Sequence, residues 1–158
     1  MLTKQDFIDL IPRLAWLLHI SLIILVMKIK KEFPVLNSNL YQIIFSIILI
    51  LLGSYLLLST GIIVLKYRKK FSPTRIFVEG PYHYIRHPMY LGIYFLLFGI
   101  GILFHLVSIF LVSLPLIPIW YGLSKLEENE MTKRFGEQYE KYKKQTGMFF
   151  PKINHKRR

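Results

Sequence analysis

Four apolar stretches, separated by short polar and basic ones, set the rhythm of the sequence. Residues 10–27 and 40–65 each read as a full membrane span, because a helix needs about 20 apolar residues to cross the hydrocarbon core. Residues 89–104 and 106–121 are shorter, each about 16 residues or roughly 24 Å of helix. With His105 between them they predict a short helical hairpin whose tip barely emerges from the bilayer. Pro115 and Pro118 should kink its returning arm. Gly53, Ser54, Ser59, Thr60 and Gly61 interrupt the second span, and small residues there let helices approach closely. His19 lies deep in the first span, where an interhelical hydrogen bond is the expected use for it. Arg13 stands near that span's end and can snorkel.

After residue 121 the period changes. Met131, Phe135, Tyr139 and Tyr142 recur at three- and four-residue spacing, which predicts an amphipathic helix over Glu127–Tyr142 lying on the membrane face. No alternating ten-residue pattern of a barrel is present. The expected fold is therefore all-α: a single polytopic integral membrane domain over residues 1–158, with two spans, a short hairpin and a cytoplasmic amphipathic C-terminal helix.

Charge adds orientation. Hydrophobic residues make up 53% of the chain, yet its net charge is +12. Six Lys and Arg fall in 66–86, ten in 125–158 and three in the 28–39 connector. By the positive-inside rule the 66–86 loop, the tail and the N-terminus face the cytoplasm. Such charges suit anionic headgroups, so membrane lipids rather than nucleic acid are the expected partner. The chain has no cysteine, which excludes disulfides, thiolate catalysis and cysteine-ligated metals. Residues 10–27 lack a following small-residue cleavage site, so a cleavable signal is not expected.

Between the basic loop and the third apolar stretch stands GPYHYIRHPMYLG, residues 80–92. Gly80-Pro81 marks a turn, and Pro88 suits the first position of a helix. Arg86, His87, Tyr82, Tyr84 and Tyr90 then gather at a helix mouth. A helix N-terminus offers N–H groups and partial positive charge to an anion, and aromatic faces receive a cation. Such a site suits a ligand carrying both charges. His83 and His87 have the spacing of a helical metal pair, but Pro88 starts a new helix, no glutamate follows His83, and Arg86 would repel a cation; no metal is expected. A soluble nucleotide-type fold would need a Gly-rich loop after a strand, and no such segment exists.

The motif at 80–92, followed about forty residues later by "EENEM" and "FGEQYEKY", resembles the isoprenylcysteine carboxyl methyltransferase family. That family belongs to a wider group of small integral-membrane methyltransferases which includes phospholipid N-methyltransferases. The resemblance covers 75–151, the expected donor-site core. It implies S-adenosylmethionine as methyl donor, held on the cytoplasmic face. Tyr82, His87, Pro88, Met89 and Tyr90 match the family's donor-binding positions, and Glu127 matches its acidic one. Glu128 and Arg86 are the candidate catalytic residues, Glu128 as proton acceptor for an amine substrate. Leu123 stands four residues before Glu127, where relatives that methylate a prenylcysteine carboxylate usually carry an arginine; the nearest cation is Lys125. The resemblance implies carboxyl O-methylation of a lipophilic or lipidated acceptor. Phospholipid or small-amine N-methylation is the alternative, and a non-catalytic interaction protein on the same scaffold is the reading from another class.

Overall fold

The structure, a computed structural model, describes residues 4–34, 39–68 and 76–152. The basic stretch holding Lys69, Lys70 and Arg75 lies outside the described residues, as do 153–158 at the end of the tail. Among the described residues five α-helices follow in order: α1 (Lys4–Lys30), α2 (Leu40–Arg68), α3 (Pro88–Leu103), α4 (Val107–Phe135) and α5 (Glu137–Gln145), with a 3₁₀ turn over Gly80–His83 before α3. No strand occurs among the described residues, as the all-α reading expects. The segments Leu40–Lys66 and Val107–Phe135 are long and apolar enough to cross a membrane, while α3 is apolar but shorter. Along α2, Leu51, Leu58, Ile62 and Leu65 are exposed. In water that surface would drive association; in lipid it is the solvated face.

Two boundaries differ from the sequence reading. The predicted returning arm and the start of the amphipathic helix are one helix, α4, which runs unbroken through Pro115 and Pro118 to Phe135. Prolines are tolerated inside membrane helices because neighbouring groups re-satisfy the freed carbonyls. The break comes instead at Gly136, whose φ of 53° and ψ of −130° lie where only glycine is at ease. The second difference concerns α5. Tyr139 and Tyr142 are buried in a cluster with Ile76 and Phe135, so the aromatic face expected on the membrane packs on protein.

Helix ends are closed by the backbone. After α1 the Glu32 N–H donates to the Met27 carbonyl and the Lys31 N–H to that of Lys28. This is the Schellman pattern, with Lys31 at φ 53° in the position glycine usually fills. After α3 the Leu106 N–H donates to the Gly101 carbonyl, and His105 takes the left-handed position at φ 54°.

The chain divides into two compact units. The first comprises 1–49 and 97–127. Its core joins Ile23 of α1 to Leu106, Ile109 and Val112, with Leu97, Phe98 and Leu116 packed around them. Phe98 stacks on Phe110 across the turn at His105, their rings 5.4 Å apart. His19 supplies the interhelical hydrogen bond its position predicts. The Trp120 indole N–H donates to its Nδ1 at 3.2 Å, and its Nε2 lies 3.0 Å from Ser113 Oγ. An indole can only donate, so Nδ1 is the acceptor and Nε2 carries the proton given to Ser113. Trp16 stacks on Trp120 at 3.9 Å and closes this polar island between α1 and α4.

The second unit comprises 50–96 and 128–158. Here α2 and α3 meet backbone to backbone: a Cβ added to Gly53 would lie 2.7 Å from the Gly92 carbonyl. The small residues after Gly53 are used differently. Ser59 and Thr60 return their hydroxyls to the carbonyls of Tyr55 and Leu56, and Gly61 meets nothing.

Candidate active site

Within the second unit, the chain between the 3₁₀ turn and α3 is pinned before any side chain is considered. Glu79, Gly80 and Pro81 set the turn, whose carbonyls take the N–H groups of Tyr82, Tyr84 and Ile85. Pro88 then opens α3 with a fixed φ and no N–H to lose, as its position in the motif predicts. Arg86 and His87 are therefore presented at a helix start, directly before the buried Pro88 and within one turn of the buried Tyr90.

Glu128 comes from the far part of the sequence. On α4 it is 1% exposed. Its Oε1 accepts from Arg86 Nε at 2.6 Å and lies 3.4 Å from His87 Nε2. The guanidinium does more than pair with this carboxylate. Its Nη1 donates to the Lys143 carbonyl at 3.3 Å and to the Thr146 carbonyl. One side chain thus ties α4, the end of α5 and the motif together. The planar fork of arginine suits this; a lysine offers a single point charge.

The His87 ring stacks on that of Tyr90 with centroids 5.5 Å apart, and Phe149 approaches it at 5.7 Å. Tyr82 is held through its backbone: the Tyr142 hydroxyl donates to the Tyr82 carbonyl at 2.6 Å. Burial pushes the Tyr142 hydroxyl above the usual tyrosine range, so it keeps the proton it donates. Phe77 packs against the Tyr82 ring at 5.8 Å. Met89 is 41% exposed and stands apart from the buried cluster.

The structure thus brings together Arg86, His87, Tyr90 and Glu128, with Tyr82 tied in through Tyr142. Glu127 precedes Glu128 on α4 and belongs to the first unit. Among the described residues no group of three or more His, Asp and Glu side chains could hold a metal ion.

Sequence reasoning missed one part of the site, residues 146–149. The Arg86 N–H donates to the carbonyls of Gly147 and Met148, the His87 N–H to that of Met148, and the Gly147 N–H to that of Tyr84. Ile85 and Gly147 form an isolated parallel bridge. Only backbone atoms make these contacts. The glycine at 147 was the one available signal: an added Cβ would collide with the Phe150 carbonyl.

The phospholipid methyltransferase family model matches residues 41–138, well over half of the chain. The chain belongs to the phospholipid methyltransferase family. This places it in the wider group of small membrane methyltransferases to which the sequence pointed. Methanethiol S-methyltransferase of Crocosphaera subtropica is 32% identical over 88 residues, covering 56% of this chain and 34% of that protein. The matched stretch is thus about a third of that relative's length. No solved structure matches the chain.

Proposed function

We propose that this protein is an integral-membrane methyltransferase that uses S-adenosylmethionine and acts on a lipophilic acceptor. The observation that carries the reading is the buried convergence of Arg86, His87 and Glu128, from motifs 42 residues apart, at the start of α3.

The donor set fits the group. S-adenosylmethionine, when bound, supplies a methyl on a sulfonium, together with a carboxylate, an ammonium and an adenine. His87 and the N–H groups of Met89 and Tyr90, which follow Pro88 at the start of α3, suit a carboxylate. The Tyr82 and Tyr90 rings suit an adenine or a sulfonium. Glu127 suits an ammonium or a ribose hydroxyl. Transfer from a sulfonium needs positioning above all, and positioning is what the Arg86–Glu128 pair provides. The charge distribution supports multi-pass insertion, with α3 and the apolar part of α4 in the membrane and the site on the cytoplasmic face.

Carboxyl O-methylation of an isoprenylcysteine-like acceptor is the finer reading. A carboxylate is already anionic and needs no base, but it wants a cation. Among the described residues Arg86 engages protein partners through Nε and Nη1, and Nη2 is the candidate for that task. A second reading, a sulfur acceptor, is favoured by Leu123 at the place of the usual arginine and by the activity for which the S-methyltransferase relative is named. The test has two steps. Calorimetry on the purified protein should detect S-adenosylmethionine binding. Mass spectrometry of membrane extracts from an overexpressing strain should then show a methylated lipophilic product. A protein that binds no donor would overturn the reading.

A further inference from the structure

We propose that Phe149 is a positioning residue for His87, held in place by the strap of residues 146–149. The proposal rests on the donor-site reading above and extends it to a segment that reading does not use.

The strap is built rather than loosely appended. The Thr146 N–H and hydroxyl both return to the Tyr142 carbonyl, ending α5. Backbone hydrogen bonds then pair 147–148 with 84–87, and Arg86 Nη1 grips the carbonyls of Lys143 and Thr146 from the side. Gly147 makes the following turn possible, because any side chain there would strike the Phe150 carbonyl. The outcome is selective. Of two adjacent phenylalanines, Phe150 is 72% exposed, whereas Phe149 is half-buried with its ring 5.7 Å from that of His87.

An imidazole has two side-chain torsions to fix. The Glu128 carboxylate, 3.4 Å from Nε2, sets where that nitrogen points but not the tilt of the ring about the contact. Ring packing bears on the tilt, and Tyr90 from α3 and Phe149 from the strap both lie against the ring. Tyr90 shares a helix turn with His87 and moves with it. Phe149 is anchored 62 positions away in sequence, so it reports the strap's position to the ring. A bound donor meeting His87 would thus meet an imidazole whose orientation depends on the C-terminal strap.

The experiment is S-adenosylmethionine binding by calorimetry on the purified full chain in detergent, with thermal unfolding of the donor-free protein alongside. Phe149→Ala should weaken binding about tenfold, the scale of one lost aromatic pair. Phe149→Tyr should restore it, and Phe150→Ala should leave it unchanged. The decisive variant combines His87→Ala with Phe149→Ala: it should bind no more weakly than His87→Ala alone, since Phe149 acts through that ring. In the donor-free protein the His87 ring-proton resonance, identified by its loss in His87→Ala, should shift in Phe149→Leu. That milder variant also carries the test if Phe149→Ala fails to fold. Additive losses in the double variant, or wild-type affinity in Phe149→Ala and Phe149→Leu, would overturn the proposal. Wild-type protein that binds no donor would instead overturn the donor-site reading, and this inference with it.

Discussion

Replacing Arg86 by lysine should reveal how much of the second unit hangs on one guanidinium. The wild-type side chain makes three contacts: Nε to Glu128 at 2.6 Å, and Nη1 to the carbonyls of Lys143 (3.3 Å) and Thr146. Lysine keeps the charge and can keep Glu128, but its single ammonium cannot also reach two carbonyls on another segment. A hydrogen bond to a charged group contributes about 1.5–3 kcal/mol. The Lys143 contact is long and counts toward the weak end, so the expected loss is about 2–4 kcal/mol. That is a large share of the roughly 5–15 kcal/mol that holds a domain folded. For a chain of this size it corresponds to a fall in Tm of about 5–15 °C. Arg86→Met should cost more, because removing one partner of a buried pair costs about 3–5 kcal/mol in itself. The pair qualifies: its two side chains are 9% and 1% exposed. Thermal unfolding followed by tryptophan fluorescence in one detergent at one protein concentration is the assay. An Arg86→Lys protein within 1 °C of wild type would refute the reasoning, since the carbonyl contacts would then contribute nothing.

Three further outcomes can be checked on the same preparation. His87→Ala should weaken S-adenosylmethionine binding by about 1–3 kcal/mol, the scale of a lost charge-assisted contact, measured by calorimetry. Gly136→Ala should destabilise by about 1–3 kcal/mol from backbone strain alone, because the space around that position is open; an unchanged Tm would show that the break between α4 and α5 tolerates another geometry. Tyr142 holds its proton more tightly when folded than an exposed tyrosine does. Its contribution is therefore complete below about pH 10, the unfolded value, and declines above it by about 1.4 kcal/mol per pH unit as the unfolded chain releases the proton first. The alkaline fall of Tm should be shallower in Tyr142→Phe than in wild type.

Much of this architecture is legible in the sequence because apolar length and proline placement are local signals. The second span and the start of α3 at Pro88 are found within a few residues. What escaped is what local signals cannot carry. The apolar run ends at residue 121 and a new period starts after it, yet α4 continues past that change and stops only at a glycine with a left-handed φ. The spacing of Tyr139 and Tyr142 marks an apolar face without saying whether lipid or Ile76 covers it. The strap at 146–149 binds through main-chain atoms, so its residue types carry almost no trace of the pairing.

Adjacent carboxylates pose the sharpest case. Glu127 and Glu128 are one residue apart on a helix, which turns them about 100° from each other, so both cannot face the same partner equally. Composition and spacing treat them alike; burial does not. Glu128 faces inward to Arg86 and His87, and its carboxylate is already engaged by that pair. Accepting a proton from a substrate would neutralise it and leave the buried guanidinium without its counter-charge. The two glutamates should accordingly divide the labour. Glu128→Gln should lower Tm strongly and weaken donor binding only as the fold loosens. Glu127→Gln should leave Tm near wild type while weakening donor binding by about 1–3 kcal/mol. Paired unfolding and calorimetry on both variants decide the matter. If Glu127→Gln unfolds early while Glu128→Gln stays stable and loses only the donor, the assignment must be exchanged: the ion pair would then be the ligand-facing element.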